Sequence, residues 1–305
     1  RLWDEADHES RTEFTEPEIL RTNLASVILQ MTNLRLGDVS DFPFIESPET
    51  SMVHDGYRLL DELGALAEDD SGRYRLTDIG KKLARLPIDP RIARMILAAE
   101  RHGCVREVLV IASALSIQDV RERPREHQER ADELHRRFMV PGSDLLSIVS
   151  LWDYLRDQQR QLSGNAFRRM CRDEYLHWLR VREWRDLYSQ LRQVAGQIGI
   201  RPGTDAGHPD RVHQAVLSGL LSNIGRRDDR RPQRDRRTRV EYQGARGARF
   251  EIVPGSALGR AGSEWIVAAE VVETDRLRAR RVSAIQPEWI ESVAGELVSR
   301  SYGDP

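Results

Sequence analysis

The sequence predicts a mainly helical α+β chain of several modules: a winged helix, a helical bundle and a small C-terminal barrel of the OB-fold kind. Three observations predict it. Apolar residues recur at helical spacing from about Glu16 to about Ser218. That pattern is interrupted once, between Ala65 and Leu76, by a stretch that reads as a hairpin. Beyond Gly219 the apolar period changes from helical to two. At 305 residues the chain is too long for one ordinary core, and about two or three domains are expected.

Thr15-Glu16-Pro17-Glu18 has capping-box spacing, and Leu20, Leu24, Val27, Ile28 and Met31 then share a face, so a helix is expected from about Glu16 to Leu34. Ser47-Pro48-Glu49 starts a second helix, with Val53, Tyr57, Leu60 and Leu63 as its stripe and Gly64 as its stop. Ala65 to Glu68 can pair with Arg73 to Leu76 across Asp69-Asp70-Ser71-Gly72. Thr77 can then cap a helix carrying Ile79, Leu83 and Leu86. Helices followed by a hairpin give the winged helix, residues 16–88. A winged helix can read duplex DNA with a basic helix, but this second helix carries Glu49, His54, Asp55, Arg58, Asp61 and Glu62, a face that would repel phosphate.

Pro87-Ile88-Asp89-Pro90 marks a boundary, after which Ile92, Met95, Ile96 and Ala99 line one helical face. The bundle occupies 89–218. Val105 to Leu115 is apolar nearly all round and reads as its central buried helix, with Cys104 packed beside it. Leu145, Ile148, Val149 and Trp152 form another stripe, and Val181, Trp184, Leu187, Leu191, Val194 and Ile198 a further one. Gly199 to Pro209 reads as a loop before a short helix ending near Gly219. In 219–305, Phe250 and Ile252 alternate, Trp265 to Thr274 and Val282 to Ile285 read as strands, and Pro287-Glu288-Trp289 opens a last helix with Trp289, Val293 and Leu297 inward. Short strands closed by a helix suit an OB-fold, a common single-strand binder.

Composition leaves chemistry narrowly placed. Charged residues make up 31% but the formal net charge is −2, so bulk basicity argues for no partner and distribution must. The basic residues are arginines except Lys81 and Lys82, and the guanidinium fork suits phosphate. Cys104 and Cys171 form neither a CxxC pair nor a metal-ligand pattern; no metal or cofactor is expected, and a cytoplasmic location is. No apolar run is long enough to span a membrane. Asp4-Glu5-Ala6-Asp7 spells an ATPase signature, yet only Arg1-Leu2-Trp3 precedes it, and Gly80-Lys81-Lys82 lacks the glycine-rich loop and following hydroxyl that would hold phosphates. No catalytic residue is assigned. His135, one turn beyond Asp132, is expected in a structural hydrogen bond, and Arg182 in an ion pair.

From Ile111 to Phe138 the order of parts is distinctive: an apolar helix closing on Ala114-Leu115-Ser116, a bend at Arg121-Glu122-Arg123-Pro124, then Ala131-Asp132, His135 and Phe138 at helical spacing. With EPEILRTNLASVILQM at 16–31, NAFRRMCRDEYLHWLRVREW at 165–184 and ARFEIVPGS at 248–256, it resembles the region that follows the motor in DEAH-box RNA helicases, nearest to bacterial members, over nearly the whole chain. The resemblance implies a linker at 1–15 from the end of a second RecA-like domain, a winged helix, a ratchet-like helical domain and an OB-fold. It implies that the two RecA-like motor domains, with their ATP and Mg, lie outside this sequence and are partners of it. The fragment is then no enzyme by itself; it forms part of a channel for single-stranded RNA.

In the resemblance Arg121, Arg123, Asn165, Arg168 and Arg169 face RNA, with Arg168 the foremost contact. Asn165 also reads as the cap of its helix. Arg246 and Arg249, beside Gly244 and Gly247, are placed for ordered phosphate contact, since glycine lets backbone approach. Ser256, in Val253-Pro254-Gly255-Ser256, and Arg276, in Thr274-Asp275-Arg276, match family loops near the RNA entrance; the first departs from the eukaryotic pattern of histidine and two serines. Between Gly225 and Val240, eight arginines against three aspartates read as a solvated insertion, with an electrostatic arm as the alternative. Two rival functions are a winged-helix DNA regulator and a scaffold docking proteins, the OB-fold being one place for a protein partner.

Overall fold

The computed structural model describes residues 24–69, 72–228, 240–259, 262–273 and 276–295, and these divide into two units at Ala84/Arg85. The acidic stretch at Asp4, the first part of the helix expected from Glu16, most of the arginine-rich segment, Thr274, Asp275 and Leu297 lie outside the described residues.

The first unit contains helix α1 (Ala25–Leu34), helix α2 (Thr50–Glu62), strands β1 (Leu66–Glu68) and β2 (Tyr74–Leu76) and helix α3 (Asp78–Leu83). The hairpin pairs Leu66 with Leu76 and Glu68 with Tyr74 in antiparallel register. Leu24, Ile28, Leu60, Leu63 and Leu83 form its buried interior. Gly56 is required where α1 meets α2, because a Cβ there would stand 2.6 Å from Ile28 Cδ1. Thr77 caps α3 as expected: its Oγ1 accepts from the Gly80 N–H at 3.0 Å and donates to the Gly64 carbonyl at 2.7 Å. The exposed face of α2 carries Glu49, His54, Asp55, Arg58 and Asp61.

The second unit begins with α4 (Pro90–His102), whose N-terminus is held by Asp89 accepting from Arg91 N–H at 2.8 Å and which ends at Gly103 in left-handed conformation. Helix α5 (Val105–Leu115) is the centre of the bundle; Val108 to Ala112 are fully buried. Around it lie α6 (Gln128–Arg136), α7 (Asp144–Gln161), α8 (Gly164–Asp173), α9 (Trp178–Gln197) and α10 (Pro209–Leu217). Trp184 on α9 buries its indole against α5 and donates Nε1–H to Val110 O at 3.1 Å and Ser113 Oγ at 3.0 Å, so the core holds a large aromatic without an orphaned donor. Cys104 and Cys171 are buried free thiols, pushed up by burial to about 12 and about 11, and the two are packing residues.

Five strands close a barrel in the order β3 (Ile224–Arg227), β4 (Glu241–Gly244), β5 (Arg249–Ile252), β7 (Leu277–Ala284), β6 (Trp265–Glu273), with β5 and β7 parallel and the rest antiparallel. Gly225 and Gly244 let the Phe250 ring lie against the sheet; a Cβ at Gly225 would be 2.5 Å from it. The strand expected at Val282 starts earlier, at Leu277; Arg278, Arg280 and Arg281 leave only Leu277 and the small Ala279 to mark the alternation. Helix α11 (Pro287–Ala294) follows, and the Trp289 ring stacks on His213 of α10 at 6.1 Å.

Bundle and barrel share one core, reaching Val267 and Ile285, and a polar joint. Asp144, in the first turn of α7, accepts from Ser256 Oγ at 2.8 Å, Ala257 N–H at 2.7 Å and Val282 N–H at 2.9 Å. Ser143 Oγ lies 2.8 Å from His213 Nε2 and 2.9 Å from Ser283 Oγ. Gly142 closes the joint, donating to Ala257 O and accepting from Ala284 N–H.

Candidate nucleic-acid interface

The turn after α5 is built before it is charged. Glu122 N–H donates to Tyr175 O at 2.8 Å and His177 N–H to Val120 O at 2.7 Å, so residues 120–122 zip onto the connection between α8 and α9. Arg180 adds a hydrogen bond from Nη1 to the Asp119 carbonyl at 2.9 Å. This brings Arg121 and Arg123 to the same joint as α8, which carries Asn165, Arg168 and Arg169.

Within it the arginines differ. Arg121 grips Asp119 through Nη2–H to Oδ2 at 2.8 Å and Nε–H to Oδ1 at 3.1 Å, with its own backbone N–H at 2.9 Å from Oδ1. Burial alone would raise the Asp119 pKa; the Arg121 fork, charge and N–H overcome that and hold it at about 2. Burial disfavours the Arg121 charge, but Asp119 and, further off, Asp144 outweigh it and raise the guanidinium above its ordinary value. Arg123 pairs with Asp132. His135 makes the structural hydrogen bond expected of it: its ring donates Nε2–H to the Glu174 carbonyl at 3.0 Å, while Arg123 holds the neighbouring Asp132 carboxylate. Burial lowers its pKa, so it sits neutral. Arg182 makes the expected ion pair, to Asp186 at 3.7 Å.

On α8 the situation is open. Asn165, Arg168 and Arg169 are exposed on one face at i, i+3 and i+4. No carboxylate among the described residues pairs with Arg168 or Arg169. The Arg168 guanidinium stands 5.7 Å above the Trp178 ring, a cation–π contact that orients it and leaves its N–H fork to solvent. Asn165 does not cap the helix. Ser163 does, accepting from Ala166 N–H, so the backbone leaves the helix two residues earlier and Asn165 is free within the first turn.

The barrel residues lie elsewhere and are matched by acids. Arg249 has Asp228 at 3.7 Å and Glu241 at 3.6 Å; Arg276 reaches Glu251 at 3.1 Å. Arg246 belongs to the 3-10 turn Ala245–Gly247. Ser256 holds the Asp144 joint. The structure ties the turn of Arg121 to the α8–α9 connection, places Asn165, Arg168 and Arg169 on one exposed face of α8, and leaves Arg249 and Arg276 paired with acids of the barrel. Sequence reasoning missed Asp119 and Asp144. Asp119 stands two residues before Arg121, a spacing that could have shown the pair; Asp144 reaches partners more than 110 residues away and left no local signal.

Among the described residues no group of three or more His, Cys, Asp or Glu could hold a metal, and no helix is long and apolar enough to cross a membrane. A crevice of about 30 Å³ between bundle and barrel, lined by Ala114, Arg121, Ile148 and Arg281, has room for a water or two.

Comparison with known proteins agrees with this architecture. Residues 57–88 match the winged-helix part of the helicase-associated domain (HA2), 89–148 its ratchet-like part, and 212–297 an oligonucleotide/oligosaccharide-binding (OB) fold. The chain is 53% identical over 306 aligned positions to the ATP-dependent RNA helicase HrpA of Escherichia coli and 48% identical over 308 to its Haemophilus influenzae homolog. All of the chain is covered in both, but it spans only 23% of each relative's length. The ATP-dependent RNA helicase DHX33 of Drosophila melanogaster is 28% identical over 96% of the chain and 40% of its own length.

Proposed function

We infer that this chain, which belongs to the helicase-associated accessory regions of DEAH-box RNA helicases, forms one wall of a channel for single-stranded RNA. The observation that carries this is the α8 face: Asn165, Arg168 and Arg169 exposed together, without a carboxylate partner among the described residues, with Arg168 over Trp178 at the start of α9. Guanidinium forks with unmatched charge on a rigid helix grip phosphates without reading sequence. Arg121 and Arg123 shape the turn, and their remaining N–H groups border the same wall. Ser256 acts through Asp144, holding the barrel against the bundle.

The chemistry of strand movement belongs to RecA-like motor domains with their ATP and Mg, in the longer protein of which this is a region. Those domains and the RNA are its partners, and the cytoplasm is its place, suited to two free thiols. Binding and positioning are the work of this chain. A duplex-reading winged helix is disfavoured by the exposed acids of α2.

The test is fluorescence anisotropy of the chain with labelled single-stranded RNA and with duplex DNA across a salt series. With about four phosphates neutralised, log affinity falls against log salt with a slope of roughly −3, and Arg168→Ala flattens it by about 0.7. Strong duplex binding with no single-strand binding would instead make it a DNA regulator.

A further inference from the structure

Away from the α8 residues, clefts among the described residues lie along the seam between α7 and α9. Three of them, of about 380, 420 and 490 Å³, share lining residues and run into one another. The floor is aromatic and closed: the Trp152 and Tyr188 rings meet at 4.7 Å and are 3% and 7% exposed. The walls are arginine. On α7, Arg156 and Arg160 continue the line of Trp152 at i+4 and i+8; on α9, Arg185 and Arg192 flank Tyr188, and Arg201 closes the far end.

The carboxylates in the groove are already engaged. Asp153 pairs with Arg106, and Asp157 with Arg160 at 3.2 Å. Arg156, Arg185, Arg192 and Arg201 have no carboxylate partner among the described residues. Four unmatched guanidiniums therefore border one elongated cleft of a chain whose net charge is −2. Such a cleft attracts a polyanion, and its focused field is stronger than dispersed surface charge. No exposed large apolar side chain lies in it: those among the described residues are Leu34, Leu36, Ile45, Tyr74, Met139 and Leu179. A protein partner would need an apolar anchor there.

We propose that the α7–α9 groove is a second, sequence-independent track for single-stranded nucleic-acid phosphates, continuing the strand that reaches α8. The α9 register supplies the continuity. Trp178, beneath Arg168, is followed by Arg185 and Arg192 at i+7 and i+14, one stripe of the helix, with Arg185 about 10 Å and Arg192 about 21 Å along the axis. A strand leaving the α8 face thus meets a further guanidinium every two turns. The aromatic floor is too buried to stack bases, so the track holds backbone alone and treats RNA and DNA strands alike. The inference rests on the α8 reading only for the direction of the strand; the groove's charge stands without it.

The experiment is anisotropy of this chain with fluorescein-labelled 24-nucleotide oligouridine, and the matching oligothymidine, from 50 to 200 mM salt. The variants are Arg156→Ala/Arg192→Ala/Arg201→Ala and, separately, Arg168→Ala. The triple variant is expected to bind both strands roughly tenfold or more weakly and to lose about 2 from the salt slope, about 0.7 per arginine. Should the triple variant melt below the wild type, Arg192→Ala/Arg201→Ala, both exposed, replaces it with an expected loss of about 1.4. A triple variant that binds like the wild type while Arg168→Ala is weakened overturns the groove and keeps α8; the reverse pattern keeps the groove and overturns α8. Tighter binding of a 24-residue oligoglutamate than of RNA, lost in the triple variant, would assign the groove to an acidic protein and overturn the proposal.

Discussion

The barrel and the helical bundle are both rich in arginine and both pair many of them, Arg106, Arg121, Arg123, Arg160 and Arg182 on the bundle among them, but they differ in the ones left over. On the barrel, Arg226, Arg249, Arg276 and Arg281 each face a glutamate or aspartate within 4 Å. On the bundle, Arg168 and Arg169 of α8 and four arginines of the α7–α9 groove face none among the described residues. The barrel's ion pairs are mostly half-exposed and contribute little to stability, yet they cancel its field. The bundle's unpaired charges contribute nothing to folding and leave a field for a ligand. Local electrostatics is set by what folds beside each arginine, and a near-neutral total conceals both regions.

The comparison breaks most completely if bundle and barrel come apart. Asp144→Ala removes the acceptor of Ser256 Oγ–H, Ala257 N–H and Val282 N–H and leaves the last two donors without that partner; a loss of about 3 to 5 kcal/mol is expected, read by urea unfolding. Unchanged stability would mean the joint is not held through Asp144. A smaller effect comes from protons. Burial lowers the His213 pKa to about 4, so the unfolded chain takes up a proton near pH 6.5 that the folded chain refuses. The sign follows: this contribution is complete above about pH 6.5, falls as pH drops, and about 3 kcal/mol is gone by pH 4. His213→Gln, which can still bond Ser143, should flatten the stability profile between these values. The smallest effect sharpens the contrast directly. Arg249→Ala, removing a matched arginine, should change the RNA salt slope by less than about 0.2, against about 0.7 for Arg168→Ala; equal effects would erase the distinction between the two regions.

Much of the fold was legible because its signals are local. Thr77 caps α3, Val105–Leu115 is buried all round, and the hairpin pairs where two short apolar runs flank a turn, since capping, helical period and alternation each depend on neighbours within a few residues. The site was less legible. Asn165 looked like a cap because the point where backbone enters a helix is not written in one residue, and Ser163 fills the role. Ser256 looked like a ligand contact, but its hydroxyl is held by Asp144. Strand β7 begins at Leu277, five residues before the start expected at Val282, because barrel closure supplies hydrogen bonds that side-chain alternation does not announce.

By itself, then, the sequence determined the modules, their order and the family they resemble, because apolar period and turn chemistry act over a few residues and survive in any register of reading. Tertiary structure decided which arginines of the barrel are matched, whereas sequence neighbours such as Asp119 beside Arg121 already match some on the bundle. A carboxylate cancels a guanidinium only within a few ångströms, and the pairs that do so here, Asp228 with Arg249 and Glu251 with Arg276, join residues 21 and 25 positions apart that meet only when the barrel closes.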